Sequence, residues 1–389
     1  MSLKSTLKAL LYGTENKSRA MRFVILIGIV SLFADMTYEG ARSITGAYLA
    51  VLGANAAIVG MIAGGSELVG YALRYLFGYW ADRTRRYWLI AFMGYAINLL
   101  AVPLLALANH WWLAAGLIVL ERLGKAVRTP ARDVLLSQGG KQLGMGWAFG
   151  VHQAFDQTGS MLGPLIVGLV LFLNGSYQEG FAWLAVPALL ALWVLVMARE
   201  LYASPEITVA ATSSYASSPA KIWHKPFVLY LIGTGFIAVG YADFALIAYH
   251  FEVTKLLKPE WIPIVYGASM GVNILLAPLL GRMYDHFGIW IIIGVAVISA
   301  FFAPLVFLGS PWVAAFGVLL WGIGMGTQAS LFRAVIGNMI EESKRGTAYG
   351  IFNMVFGVCW FLGSTSIGFL YDFSIPSMVV FILVFELLS

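Results

Sequence analysis

The sequence predicts an all-α, polytopic membrane protein built from two related six-helix halves. Three observations carry this reading. Hydrophobic residues make up 60% of the 389 residues and charged residues only 11%, against roughly 45–50% and 25% in a soluble domain. The apolar residues fall into twelve long stretches, more surface than a core could hold, so it has to face lipid. A punctuation mark also recurs: Gly78-Tyr79-Trp80-Ala81-Asp82 closes one stretch, and Gly281-Arg282-Met283-Tyr284-Asp285 closes another, 203 residues later. A Gly-x-x-x-Asp seam repeated at that distance reads as two related halves.

The stretches run roughly over 23–52, 56–80, 87–108, 111–137, 143–173 and 180–198, then over 226–253, 261–283, 288–308, 311–339, 346–370 and 374–389. About 20 helical residues cross the hydrocarbon core. Helices are favoured because they satisfy their own backbone polar groups, and these runs are too continuously apolar for alternating barrel strands. Before the first stretch, Met1 to Arg22 is basic but lacks the apolar core and cleavage site of a signal peptide. Trp111-Trp112 opens the fourth, where an interfacial anchor is expected. The abundant glycines, 42 in all, allow close helix contact. Asn174-Gly175-Ser176 reads as a turn and, less specifically, as a glycosylation acceptor. The last stretch, from Ser374 to Ser389, spans about 24 Å as helix. A shortened helix 12, or a chain that continues, is therefore expected.

The longest polar connection covers 199–225, with Ser204-Pro205, a small polar run from Thr212 to Ser218, and Lys221 to Pro226. It reads as a linker, with a short interfacial helix near Lys221-Ile222-Trp223-His224 as an added option. The expected domains are thus 1–198, a linker at 199–225, and 226–389. Lys and Arg concentrate before the first stretch, at Arg83, Arg85 and Arg86, at Lys141, around the linker, at Arg282, and at Lys344 and Arg345, with Lys255 and Lys258 as the exception. The positive-inside rule then puts both termini and the linker in the cytoplasm of a multi-pass protein of the inner or plasma membrane. The net charge of +5 is scattered through short connections, which argues against a nucleic-acid stripe. A single cysteine, Cys359, cannot form an internal disulfide.

Charges within apolar helices are expensive, so their positions are informative. Asp35, Glu39 and Arg42 share a face of helix 1, at spacings of four and three. Arg42 is expected either to neutralise Glu39 or to take an anionic substrate, leaving Asp35 to titrate. Glu67 lies deep on helix 2, seven residues before Arg74. Helix 4 carries Glu121, Arg122, Lys125, Arg128, Arg132 and Asp133 around Pro130, too many charges for a lipid-facing side. Arg122 reads as a cavity group; Arg128 to Asp133 reads as a gate network. His152 and Asp156, four apart on helix 5, read as a hydrogen-bonded tie or a proton-handling pair. The second half offers Asp243 within helix 7, Arg333 near one end of helix 10, and the neutral Asn273 and Gln328. Tyr241, Phe244, Tyr249 and Phe251 either line a cavity or pack. No His, Cys and carboxylate cluster supplies a metal shell, and no Gly-Lys-Ser or Gly-Lys-Thr loop suggests a nucleotide. No cofactor is expected.

These features together resemble the major facilitator superfamily over the whole chain. Gly78 through Arg86 looks like its signature after helix 2, with Thr84-Arg85 standing where a Gly is usual, and Gly281 through Gly288 looks like the weaker copy after helix 8. The resemblance implies the major facilitator fold, two six-helix bundles with inverted repeats. It implies that Asp82 and nearby basic residues stabilise the outward-facing state. The expected cytoplasmic gate is Gly78, Asp82, Arg83 and Arg86, joined by Arg128, Arg132, Asp133, Asp285 and Arg333. Gly159-Ser160-Met161-Leu162-Gly163-Pro164-Leu165-Ile166-Val167-Gly168 is similar to the helix-5 pattern of proton-coupled drug and multidrug exporters, with Gly159, Gly163, Pro164 and Gly168 as packing positions. Arg122 looks like the basic helix-4 residue implicated there in proton transfer.

The expected activity is therefore secondary transport, not enzymatic catalysis. It is read first as proton-coupled export of a small organic molecule by alternating access, with Asp35 as the first proton candidate. The main alternative is a proton-linked importer or facilitator of a small metabolite or anion. A non-transporting receptor or scaffold is a more distant one. The expected partners are a small-molecule substrate, protons and the bilayer, for a chain that works as a monomer.

Overall fold

The computed structural model describes residues 3–202, 223–341 and 344–389, with the side chains of 3–16, 329–330 and 333 left out of the description. The described chain is helical: α1 (Leu3–Val51), α2 (Ala56–Thr84), α3 (Tyr87–Leu104), α4 (Trp111–Leu143), α5 (Met145–Phe172), α6 (Tyr177–Trp183), α7 (Ala185–Tyr202), α8 (Lys225–Gly240), α9 (Phe244–Thr254), α10 (Trp261–Phe287), α11 (Ile289–Ala300), α12 (Phe302–Leu308), α13 (Pro311–Met339), α14 (Arg345–Phe373) and α15 (Ile375–Leu388). Among the described residues, nine stretches have the length and apolarity of a membrane crossing. The charged α4 and the 29-residue α13 are as long. The last helix, α15, has 14 residues, or about 21 Å. Large apolar side chains such as Leu275, Trp290, Trp312 and Phe373 stand on the outer surface, as a lipid-facing belt requires.

Three of the expected continuous helices are interrupted. The sixth breaks at Leu184, between α6 and α7, and the ninth at Phe301, between α11 and α12. The seventh breaks at residues 241–243, and this break positions a charge. Asp243 is not inside a helix: its Oδ1 accepts from the Ala245 amide and caps α9. Trp321 Nε1 donates to the Ala242 carbonyl at 2.9 Å, so this unwound carbonyl keeps a partner. Joined across their breaks, the helices make twelve crossings in the expected order.

Local chemistry sets the turns. Asn55 caps α2 by accepting from the Ile58 amide. Arg85 ends α2 in the left-handed region, at φ 54°. Asn174 is also left-handed and Ser176 forms a capping box with Glu179, so this tripeptide is a structured turn. His224 accepts from the Phe227 amide to start α8, and no helix covers Trp223-His224. Of the expected linker, residues 199–202 continue α7 and Lys225 opens α8; residues 203–222 lie outside the described residues.

One side of the molecule carries the connections at 85–86, 144, 288 and 340–341; the other carries those at 52–55, 108–110, 173–176, 255–260 and 374. We term them the basic-loop side and the far side. Gly78 and Gly281 both end their helices on the basic-loop side, because an even number of crossings separates them. Across the middle, α2 packs on α14, α1 on α9, and α5 on α10. Small residues permit this on the far side: a Cβ at Gly46 would sit 1.7 Å from the Ala245 carbonyl oxygen, and one at Gly60 would sit 2.2 Å from that of Ser364.

Candidate functional site

Between the halves lies a cavity of about 630 Å³, within the range of small-molecule sites. Its floor is closed by the far-side contacts, and its mouth is on the basic-loop side, near the exposed Gln153 and the half-exposed Asp133. The two walls differ in chemistry. The first half supplies Asp35, Glu39, Arg42, Glu67, Arg74, Arg122, Lys125, Arg128, Arg132, Asp133 and Asp156. The second half supplies aromatics, including Tyr266, Phe352, Phe356 and Trp360, and the amides Asn273, Gln328 and Asn353. It lends no charged side chain among the described residues.

The charges of α1, α2 and α4 form layers. In the deepest layer, Arg122 reaches Glu67 at 3.1 Å and Glu121 at 3.4 Å. Arg42 reaches Glu67 at 3.5 Å and, across the halves, Asp243 at 2.9 Å. Asn98 donates to Glu121 Oε1 at 2.7 Å and to the Glu121 carbonyl at 3.0 Å. Arg42 therefore does not neutralise Glu39, its expected neighbour. Instead Glu39 accepts from the Tyr266 hydroxyl of the opposite half. Nor does Glu121 pair with Lys125; it turns to Arg122 and Asn98.

One turn nearer the mouth, three cations surround one ring. Lys125 Nζ is 3.8 Å from the centroid of Tyr38, with Arg128 at 5.7 Å and Arg122 at 6.0 Å. Arg128, expected at the gate, is 1% exposed, stacks over Tyr95 at 4.4 Å, and points at the cavity carboxylate Asp35. Asp35 is held loosely. Its Oδ1 is 3.8 Å from Arg128 and its Oδ2 is 3.5 Å from the Ser160 hydroxyl. His152 is 3.4 Å from Asp156, and its Nε2 meets the Ser31 hydroxyl at 2.7 Å, so this pair is tied to α1.

The other expected gate residues do not meet across the halves. Asp82 is exposed and lies 3.4 Å from the Tyr87 hydroxyl; Arg83 bonds Tyr79; Arg132 bonds Asp133 beside it. Asp82, Arg83, Arg86 and Asp285 form no ion pair among the described residues. The Arg333 side chain lies outside the description. Gly78 rests against Pro130 of α4. The helix-5 glycines face two different partners. A Cβ at Gly159 would lie 2.3 Å from the Leu32 carbonyl oxygen and one at Gly163 would lie 2.1 Å from that of Met36, both on α1. Gly168 and Pro164 instead adjoin α10, at Ile264 and Gly267.

Tyr241, Phe244, Tyr249 and Phe251 do not line the cavity. They are buried, the first two packed on Trp321. Sequence reasoning also missed the far-side ties. Asp372 accepts from the Ala56 and Ala57 amides at 3.2 and 3.0 Å, capping α2 from the opposite half. The Tyr177 hydroxyl donates to Glu252 at 2.6 Å, and Glu252 also holds Lys255. One signal was present: Gly368-Phe369-Leu370-Tyr371-Asp372 is a third Gly-x-x-x-Asp, placed on the far side.

Comparison with known proteins now adds to this geometry. A protein of Mycobacterium tuberculosis, described as uncharacterized, is 36% identical over 388 residues, covering 97% of this chain and 93% of that one. An uncharacterized MFS-type transporter of Methanocaldococcus jannaschii is 27% identical over 377 residues, covering 94% and 92%. Among solved structures, the nucleoside transporter NupG aligns with a TM-score of 0.79 at 12% identity, over 94% of this chain and 97% of that chain. A D-xylose-proton symporter aligns with a TM-score of 0.69 at 14% identity, over 95% of both chains. The Major Facilitator Superfamily profile matches residues 25–364. With its twelve crossings, its central cavity and that match, the chain belongs to the Major Facilitator Superfamily.

Proposed function

We propose that this protein is a proton-linked uptake transporter, a symporter that carries a small organic molecule by alternating access. The coarse part, secondary transport of a small organic solute without enzymatic catalysis, follows from family membership. The proton-linked part rests on one observation above all: Asp35 is buried in the cavity wall without a close ion pair. Glu67, by contrast, is shared by two guanidiniums. A carboxylate this loosely held exchanges its proton at less cost to its surroundings than one locked between arginines.

Uptake is favoured over export. The fold is similar to that of a D-xylose-proton symporter, of the nucleoside transporter NupG and of a peptide transporter. The exporter reading rested on the helix-5 pattern, and its glycines have a sufficient role in helix packing. With the basic loops cytoplasmic by the positive-inside rule, the open cavity faces inward, as at the end of an uptake stroke. On this reading residues 1–198 and 226–389 are the rocking units, joined by 199–225, and both termini are cytoplasmic. One chain supplies every wall of the cavity, so the monomer is the working unit. The test is flux of radiolabelled xylose, uridine and dialanine into sealed proteoliposomes with an imposed pH gradient. Accumulation driven by an inward proton gradient is expected for the true substrate class; gradient-driven loss from loaded vesicles would restore the exporter.

A further inference from the structure

The cavity's charges are unevenly spread, and the imbalance selects a ligand. In the deep layer, two cations, Arg42 and Arg122, serve three carboxylates, Glu67, Glu121 and Asp243. Each guanidinium reaches two of these carboxylates and leaves its Nε without a hydrogen bond, so an anion gains less there than beside Arg128. Nearer the mouth the cations are met less closely: Arg132 holds Asp133, Arg128 reaches Asp35 only at 3.8 Å, and Asp156 faces His152. Lys125 forms no ion pair among the described residues. Arg128 is fully buried, and its Nε and Nη1 have no hydrogen-bond partner. Unmet donors on a buried guanidinium are costly, and so are three cations gathered on one tyrosine ring. A single negative charge between Lys125 and Arg128 relieves both.

The opposite wall suggests what carries that charge. Phe352, Phe356 and Trp360 recur every four residues on α14 and form one strip, with centroids 5.5 and 5.7 Å apart. Trp360 is 3% exposed and its Nε1 donor has no partner. Gln328 Oε1, also at the cavity, has none. Flat apolar surface with a few unmet polar atoms suits an aromatic ring bearing a heteroatom.

We propose that the carried solute is a compact aromatic or heteroaromatic monocarboxylate, its carboxylate seated between Lys125 and Arg128 and its ring against the Phe352–Phe356–Trp360 strip. A dianion such as phosphate fits less well, since Asp35 and Asp156 line the same space. The proposal rests on the transport reading above, but its test is separable from it. Unfolding temperature of the full chain in detergent is measured with benzoate, indole-3-carboxylate, their two amides, cyclohexanecarboxylate, inorganic phosphate, xylose and uridine. The aromatic carboxylates should stabilise the protein at concentrations at least tenfold below those needed for their amides or for cyclohexanecarboxylate. Lys125→Gln should abolish the acid-over-amide preference, and Lys125→Arg should keep most of it. Equal stabilisation by acids and amides, or stronger stabilisation by xylose, uridine or phosphate, overturns the proposal. Should Lys125→Gln fail to fold, the wild-type comparison of acid with amide and the Lys125→Arg variant decide alone. Benzoate binding without gradient-driven benzoate flux would instead count against proton coupling while leaving the ligand class standing. Gradient-driven uptake of uridine with no acid preference would do the reverse.

Discussion

Asp35 and Glu67 are both carboxylates facing one cavity, yet their surroundings assign them different work. Glu67 accepts from two guanidiniums; Asp35 has only a distant arginine and a long contact to a serine. We predict that Asp35→Asn keeps solute binding within about threefold but removes most pH-gradient-driven accumulation in sealed liposomes. Normal accumulation by that variant would dismiss Asp35 as the proton carrier and turn attention to Asp156 or Glu39. Arg122 is structural in the same layer. Removing it leaves Glu67 and Glu121 short of a counter-charge, and breaking a buried pair in this way costs about 3–5 kcal/mol. Arg122→Ala should therefore lower the unfolding temperature in detergent markedly, and an unchanged midpoint would refute the assignment. The sequence identified nearly all of these charges, because an ionisable residue in an apolar run is conspicuous. It did not give their partners. Arg42 bonds Asp243 from 201 residues away, and no helical spacing announces a contact between separate helices.

The helix-5 pattern was legible as small residues, and its division of labour was not. Gly159 and Gly163 serve α1, whereas Gly168 serves α10, so one helix face seals a bundle and another joins the two. Gly163→Val forces side-chain atoms into the Met36 backbone, and overpacking of this kind costs about 1–3 kcal/mol. Heat-induced unfolding should show that loss, and a variant as stable as wild type would mean that α1 and α5 are less tightly apposed. The break at residues 241–243 escaped sequence reading for a different reason. Hydropathy reports that a stretch is apolar; it does not report where backbone hydrogen bonds change partner. A cap from another half is hidden for the same reason. Asp372 serves α2 only after both bundles have met. Loss of a helix cap costs about 0.5–2 kcal/mol, so Asp372→Ala should shift the population towards an open far side by roughly 2- to 30-fold. Spin labels at Leu107 and Leu308, exposed on opposite halves, would read this as a longer distance. No change in the distance distribution would remove Asp372 from the closing machinery.

At the scale of the molecule, the far side is tied and the basic-loop side is open, which explains why the expected gate residues stand apart. On the gate reading, Asp82 acts only when the basic-loop side closes. Asp82→Asn should therefore leave solute affinity in detergent nearly unchanged while slowing transport at least tenfold. Labels at Tyr79 and Phe287, both exposed near that mouth, should show a smaller closed population. Equal losses of binding and transport, with the same distances as wild type, would sink the gate assignment. The duplicated seam made the twofold plan readable from sequence, but which state the molecule adopts depends on contacts between halves, and composition is silent about those.

The charged wall belongs to one half and the uncharged wall to the other. On the alternating-access reading, the ion pairs within the first half travel together, while the Arg42–Asp243 pair spans the two halves. At the cavity floor, Glu39 holds Tyr266 and Arg42 holds Asp243, less than one helical turn apart on α1. One is a carboxyl group accepting from a hydroxyl; the other is an ion pair. On the alternating-access reading, any opening of the floor has to part both grips, so the short stretch of α1 between residues 39 and 42 is the clutch at which the motion of the whole is engaged or freed.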